Sequence, residues 1–179
     1  EKFPYLQLSW QQGDWQGAID LVANNVTSVA FLANKKRSFT DPRLEVYFLG
    51  FNDFAIFVAK DSSSRLLETI DLRNNIQIIP KSMLEEGING YICFAKNHVC
   101  VNSNDEACRL LTKLGWAILP IADVQEYVKR GDIKQVRPNF MLNDLKMSMA
   151  TYYRPAINRG PAMTYLLSLL PQLSQECFS

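Results

Sequence analysis

The chain has 179 residues, of which 47% are hydrophobic, and its 19 basic and 18 acidic side chains leave a formal net charge of +1. This composition indicates a globular chain and excludes a disordered one, and the length suffices for one large domain or two small lobes. The balanced charge excludes a strongly basic surface for nucleic acid. No run approaches the roughly 20 apolar residues of a membrane span, and the first residues lack the pattern of a secretory signal peptide.

Alternating residues and turn signals predict a mixed α/β chain. A strand is followed by a helix that begins at a Gly-Asp pair and ends at Asn24. The elements predicted for the first half are a strand over Phe3–Trp10, that helix from Gly13, and strands over Val26–Ala33, Leu44–Leu49, Phe54–Lys60 and Ile76–Ile79.

Two later segments join a strand to a helix through a capping box, in which a Ser side chain accepts a hydrogen bond from an amide three residues on. Ser82 and Glu85 form one such pattern, and Ser103 and Glu106 form the other. The helix after Ser103 is predicted to end at Gly115 with a left-handed cap.

The second of these helices belongs to a strand–helix–strand–helix unit. Trp116–Leu119 is wholly apolar and predicts a strand buried on both faces, and Pro120 opens a helix that ends at Gly131. Such units build parallel sheets, so we predict the α/β class. The other predicted elements are strands over Tyr91–Phe94, His98–Val101 and Ile133–Val136, an extended segment over Phe140–Tyr153, and a last helix from Gly160-Pro161 that buries Leu166, Leu167 and Leu170.

Cysteine and histidine are too few for most site chemistry. Cys93, Cys100, Cys108 and Cys177 form no Cys-x-x-Cys pair, and His98 is the only histidine. We predict no metal site and no cofactor, because a structural zinc site needs four spaced ligands. One histidine leaves little scope for a Ser–His or Cys–His pair, so we predict no catalytic residues and no enzyme. Free thiols are typical of the cytoplasm, and a redox switch is the alternative interpretation.

Several segments, in order and spacing, resemble one known family. They are residues 41–50 (DPRLEVYFLG), 54–60 (FAIFVAK) with 70–72 (IDL), 114–120 (LGWAILP), 131–136 (GDIKQV), and 152–154 (YYR) with 159–162 (RGPA). This series resembles the effector-binding domain of LysR-type transcriptional regulators. The resemblance implies two Rossmann-like lobes joined by two crossover strands, the type II periplasmic-binding-protein-like fold. Lobe one would take residues 1–53 and 141–179, and lobe two residues 54–140.

Polar residues at the strand-to-helix junctions are the candidate ligand-binding groups. Amides at helix starts bind anions, and such junctions line the crevice of open α/β sheets. Singly, each Ser or Asp is also explained as a helix cap. On the implied fold the junctions face one cleft, and the effector-binding candidates are Gln11, Gln12, Asn34, Lys81, Ser82, Asn102, Ser103 and Trp116. For Trp116, core packing is the other interpretation.

The resemblance implies regulation rather than catalysis. We expect a small polar or anionic metabolite to bind in the interlobe cleft and to modulate DNA binding by the full-length protein in the cytoplasm. The family's DNA-binding domain, and the first strand and helix of its effector domain, have no counterpart here, so DNA contact is expected only through a domain absent from this chain. The expected assembly is a homodimer, or a tetramer at full length, with no membrane partner.

Two other classes of protein share this architecture. A periplasmic solute-binding protein is the first alternative, against which the unpaired cysteines argue. A two-lobed enzyme, such as a transferase or dehydratase, is the second. A convergent acid–base pair would distinguish it, and the sequence shows none.

Overall fold

The computed structural model describes residues 2–11, 13–34, 41–62, 68–85, 93–138, 145–155 and 159–178. The chain divides into two compact units. Unit 1 comprises residues 1–52 and 147–179, and unit 2 comprises residues 53–146. Two strands, β2 (Glu45–Ala59) and β7 (Leu145–Tyr153), run from one unit into the other.

Unit 1 packs one helix against an antiparallel pair of strands. Its remaining elements are α1 (Trp15–Ala23), β1 (Val29–Ala33), α6 (Pro161–Ser168) and α7 (Leu170–Cys177). Strand β1 pairs antiparallel with β7, so that Val29 lies opposite Tyr153. The α1 face buries Trp15 and Ile19 against Ala150 and Tyr152 of β7.

Helix α1 forms because its start is capped and its apolar residues fall on one face. The side chain of Asp14 accepts a hydrogen bond of 2.7 Å from the amide of Gly17, which confirms the predicted start. Trp15, Ile19 and Val22 recur at helical spacing and are buried. The indole N–H of Trp15 donates to the carbonyl of Ala33 at 3.0 Å, which ties the helix to the end of β1.

Unit 2 is a sheet with helices and two apolar cores. Its remaining elements are α2 (Thr69–Asn74), β3 (Gln77–Pro80), α3 (Lys81–Glu85), β4 (His98–Val101), α4 (Asn104–Leu111), β5 (Trp116–Pro120), α5 (Ile121–Lys129) and β6 (Ile133–Val136). Strand β3 pairs in parallel with β4 and β5, which confirms the predicted parallel arrangement. The second half of β2 pairs antiparallel with both β5 and β6.

Four predicted strands differ from the structure. Residues 3–10 are not a strand, because a strand needs a hydrogen-bonded neighbour and none of the described segments pairs with them. The two strands predicted over 44–60 are one continuous strand, because Gly50, at a φ of +139°, absorbs the apparent break. Of the strand predicted over 91–94, Cys93 and Phe94 are irregular, and residues 91–92 lie outside the described residues.

Two other boundaries need correction. Strand β1 begins at Val29, and the predicted first residue, Val26, is 72% exposed. The C-terminal helix begins at Pro161 as predicted, but it ends at Ser168, and α7 begins at Leu170 with a proline in its first turn. Leu170 is buried, whereas Leu166 and Leu167 are half-buried, so only one of the three leucines predicted to be buried is fully so.

Gly115 has a backbone conformation that few other residues tolerate. Its φ is +71°, as the predicted left-handed cap requires. A Cβ at this position would collide with the carbonyl oxygen of Ile76, and that oxygen accepts a hydrogen bond of 3.0 Å from the amide of Trp116.

We therefore expect Gly115→Ala to lower the free energy of unfolding by about 2–3 kcal/mol, since backbone strain and a displaced strand contact add. Urea unfolding of the whole chain, followed by tryptophan fluorescence, measures the change. The control is Gly13→Ala, because a Cβ there meets nothing within 4 Å. Equal midpoints for the two variants would contradict this assignment.

Candidate functional site

One edge of unit 2 collects four of the predicted site residues. Because β3, β4 and β5 are parallel, their carboxyl ends meet at the same edge, where Pro80 of β3 lies opposite Val101 of β4. Helices α3 and α4 therefore both start at this edge, and they pack on opposite faces of the sheet. Lys81, Ser82, Asn102 and Ser103 lie at these starts, and all but the half-buried Ser103 are exposed. We call this edge the carboxyl edge of unit 2.

The start of α4 has the predicted capping box, with one change. The hydroxyl oxygen of Ser103 accepts a hydrogen bond of 3.2 Å from the amide of Glu106. The carboxylate of Glu106 reaches back at 2.8 Å to the amide of Asn102, one residue earlier than the usual partner. Both side chains are thus occupied in holding the helix start.

The start of α3 differs from the sequence prediction. Ser82 is the second residue of α3, which begins at Lys81, so its side chain is not at the capping position. Ser82 therefore does not cap α3, because the strand ends at a proline and the helix begins directly after it. The side chain of Glu85, the other half of the predicted box, lies outside the described residues. The exposed hydroxyl of Ser82 is not engaged as a cap, and the ammonium group of Lys81 lies one residue away along the chain.

Carboxylates dominate the α4 side of the carboxyl edge. The side-chain amide of Asn104 donates to Asp123 at 2.6 Å, and the phenol of Tyr127 donates to Asp105 at 2.8 Å, which join α4 to α5. Arg109 forms an ion pair with Asp105 at 2.8 Å. Besides Lys81 at the start of α3, the charged groups at this edge thus include the Asp105–Arg109 ion pair and the carboxylates of Glu106 and Asp123.

Unit 1 holds the other polar candidates. Asn34 follows β1, and its amide donates to the carbonyl of Ser148 at 2.7 Å, while the Ser148 hydroxyl donates to the Asn34 carbonyl at 3.1 Å. The phenol of Tyr152 donates to the side-chain oxygen of Asn34 at 3.4 Å. Burial raises the pKa of Tyr152, so its hydroxyl stays protonated as a donor. Gln11 is exposed, and Gln12 lies outside the described residues.

Sequence reasoning missed the role of β7 in orienting Asn34. Ser148 and Tyr152 are more than 100 residues away along the chain. Only the pairing of β1 with β7, in which Ala33 lies opposite Met149, brings them together. The alternation of residues 145–153 was the available signal, and it predicts a strand without naming its partner.

Trp116 is a core residue of unit 2. Its side chain is completely buried among Ile56, Val58, Leu72 and Ile79, and its indole N–H donates to the carbonyl of Leu72 at 2.9 Å. A fully buried ring with a satisfied donor offers no surface to a ligand. Of the two interpretations of Trp116, core packing is therefore the one that agrees with the structure, and we leave this residue out of the proposed site.

The thiols and carboxylates form no metal centre in the part of the chain that the structure describes, where no three His, Cys, Asp or Glu residues converge. All four cysteines are free thiols. Burial raises the pKa of the Cys108 thiol to about 11, and Asp105 and Asp123 contribute by repulsion, so this thiol is unreactive near neutral pH. Among the described helices, none is both long and apolar enough to span a membrane.

Comparison with known proteins identifies the fold. No protein-family model matches the chain, and no curated protein sequence does. Solved structures do match. The reduced regulatory domain of OxyR2 from Vibrio vulnificus has a TM-score of 0.72 at 14% identity, and the match covers 98% of this chain and 84% of that one.

Other similar structures belong to the same class. The regulatory domain of MetR, a LysR family regulator from N. meningitidis, matches with a TM-score of 0.69 at 14% identity over 98% of this chain and 81% of that one. The effector-binding domain of QuiR, in complex with shikimate, matches with a TM-score of 0.70 at 14% identity, over 96% and 83%. The chain has the fold of LysR-type effector-binding domains, which is type II periplasmic-binding-protein-like, and the predicted fold class is confirmed.

We expect Ser103→Ala to lower the free energy of unfolding by about 1 kcal/mol, because it removes the cap of α4. Ser82→Ala is the matched control and should change it by less than about 0.5 kcal/mol, as an exposed, non-capping serine. Urea titration of the whole chain measures both. Equal losses in the two variants would contradict the different roles of these serines.

Proposed function

We propose that this chain is the small-molecule-sensing domain of a LysR-type transcriptional regulator that acts in the cytoplasm. The observation that carries the proposal is the fold, which the chain shares over nearly its whole length with regulatory domains of several such regulators. The neighbours named above are regulatory domains of transcription factors rather than enzymes or solute-binding proteins, which favours this function over both alternatives. DNA contact is assigned to another domain of the full-length protein.

The carboxyl edge of unit 2 is the part of this chain that we propose contacts the ligand. In open α/β sheets, ligands bind beyond the carboxyl ends of the strands. Lys81 and Ser82 are exposed there, and neither hydrophobic packing nor helix capping accounts for them. The contribution of Asn34 and Gln11, and binding in a cleft between the lobes, remain predictions.

The charges at this edge narrow the chemical class of the ligand. The Lys81 ammonium suits a carboxylate, whereas Glu106 and Asp123 repel a second negative charge and have oxygen lone pairs left to accept hydrogen bonds from hydroxyl or amino groups. A polyanion would meet these two carboxylates. We therefore propose a small polar molecule with one carboxylate and several hydrogen-bond donors, which is narrower than the polar or anionic metabolite expected from the sequence.

We expect a panel of hydroxy and amino acids, with shikimate included, to contain a compound that raises the melting temperature of the intact chain. Lys81→Ala should weaken its Kd at least tenfold, because a hydrogen bond to a charged group contributes about 1.5–3 kcal/mol. Ser82→Ala should weaken it less, about fivefold. Titration calorimetry measures these constants.

The control for the ligand experiment is Lys129→Ala, since Lys129 is an exposed lysine in the last turn of α5. It should bind like the wild type. A ligand that binds Lys81→Ala and Ser82→Ala with unchanged Kd would place the site elsewhere, and a panel without any ligand would contradict the sensing function.

We also propose that the chain forms a homodimer through the segment over Leu6–Trp10 and the α5 region, residues 121–128. Trp10 is 74% exposed and Leu8 is 80% exposed, which leaves apolar side chains for a partner to cover. Trp15 and Ile19, which the resemblance would place behind this segment, are core residues at 7% and 5% exposure.

Trp10→Glu should therefore raise the dimer dissociation constant at least tenfold, because it places a charge where an aromatic anchor is expected. Sedimentation velocity across a dilution series measures the constant. Val26→Glu is the control, at 72% exposure in the turn after α1. Dimers that survive Trp10→Glu unchanged would show that this segment is not the interface.

A further inference from the structure

The opposite edge of unit 2, at the amino ends of β3 and β5, is held together by backbone hydrogen bonds between three segments. The Trp116 amide donates to the Ile76 carbonyl at 3.0 Å, and the Lys96 amide donates to the Arg73 carbonyl at 3.0 Å. The buried side chain of Gln77 accepts bonds of 3.0 and 3.2 Å from the amides of residues 94 and 95. Residues 73–77, 94–96 and 113–116 are therefore neighbours in space.

These segments expose apolar side chains. Ile76 is 37% exposed, Phe94 is 39% exposed and Leu114 is 37% exposed. The ring of Phe94 stacks on the buried ring of Trp116, with 6.4 Å between the ring centroids, and this contact holds the Phe94 side chain in position. Single exposed apolar residues are ordinary, but three on adjoining segments of one edge form a patch of the kind that proteins use for binding. We call Ile76, Phe94 and Leu114 the amino-edge patch.

Basic residues lie on the same three segments as the amino-edge patch. Arg73, Lys96 and Lys113 are exposed, and none forms an ion pair with another residue in the described ranges. The carboxylates of the same region, Glu68 and Asp71, lie at the other end of α2, before and within its first turn. The three segments that carry the patch therefore have an excess of positive charge, in a chain whose net charge is only +1.

We infer that the amino-edge patch docks a protein segment that presents apolar side chains flanked by carboxylates. The apolar surface supplies the binding area, and the three cations complement an acidic partner and raise its association rate. Nucleic acid fits less well, because three cations neutralise few phosphates and the surface between them is apolar. This surface is separate from the carboxyl edge, so it can be occupied independently of the ligand.

The experiment selects peptides of 16 random residues, displayed on phage, against the immobilised intact chain. The expected winners combine two or three apolar residues with an excess of Asp and Glu, and their affinity should fall as salt rises. In solution, Leu114→Glu and the double variant Lys96→Glu/Lys113→Glu should each weaken the Kd of a winning peptide at least tenfold. Both changes are at exposed side chains, so folding is checked by circular dichroism.

Matched controls separate this patch from general effects of charge. Val46→Glu changes an apolar residue of equal exposure, 37%, in unit 1, and Lys129→Glu reverses an exposed lysine on α5. Both should bind the peptides like the wild type. Winners without an acidic excess, or with unchanged affinity for Leu114→Glu, would overturn the inference. So would a 20-base-pair DNA duplex or phosphatidylglycerol vesicles that compete with the peptides and lose affinity in the same variants.

Discussion

Complete burial of β5 is the constraint on which unit 2 depends. All five residues from Trp116 to Pro120 are buried, and successive side chains enter different cores. Trp116 and Ile118 pack with α2 and α3 on one face, whereas Ala117 and Leu119 pack with α4 and α5 on the other. Burial of the Trp116 side chain alone contributes about 5 kcal/mol, at roughly 25 cal/mol per Å² of apolar area. A polar residue anywhere in this strand would be desolvated, and a shift by one residue would exchange the two sets.

The same strand determines where the functional surfaces lie. Because β5 is parallel to β3, helix starts collect at one edge of the sheet and strand starts at the other. Helix starts leave amides and capping side chains exposed, which suits a small polar ligand. At the opposite edge, Gly115 lets the chain turn closely past Ile76 into β5, which leaves Leu114 outside. One topological choice thus produces two surfaces of different chemistry.

Short sequence patterns are sufficient to predict the elements that depend only on residues close together in the chain. The helix start at Ser103, the glycine cap at Gly115 and the buried strand after it depend on residues within a few positions, and all three were predicted correctly. The Ser82–Glu85 pattern has the same spacing, but Ser82 does not cap the helix, because a proline that ends β3 is followed at once by helix. Spacing alone cannot say which residue begins a helix when strand and helix adjoin.

Long-range pairing is what sequence patterns could not supply. The alternation in residues 3–10 predicts a strand, but a strand without a neighbour leaves its backbone groups to water. For Gln77 the sequence indicates exposure and the structure shows burial, because a polar residue beside an apolar run is ordinarily predicted to lie at the surface. In the structure it is 1% exposed, and its side-chain oxygen binds two amides of the loop that carries Phe94. A single buried amide therefore positions one of the exposed residues at the amino edge, and its partners lie 17 and 18 residues away, beyond the reach of any local pattern.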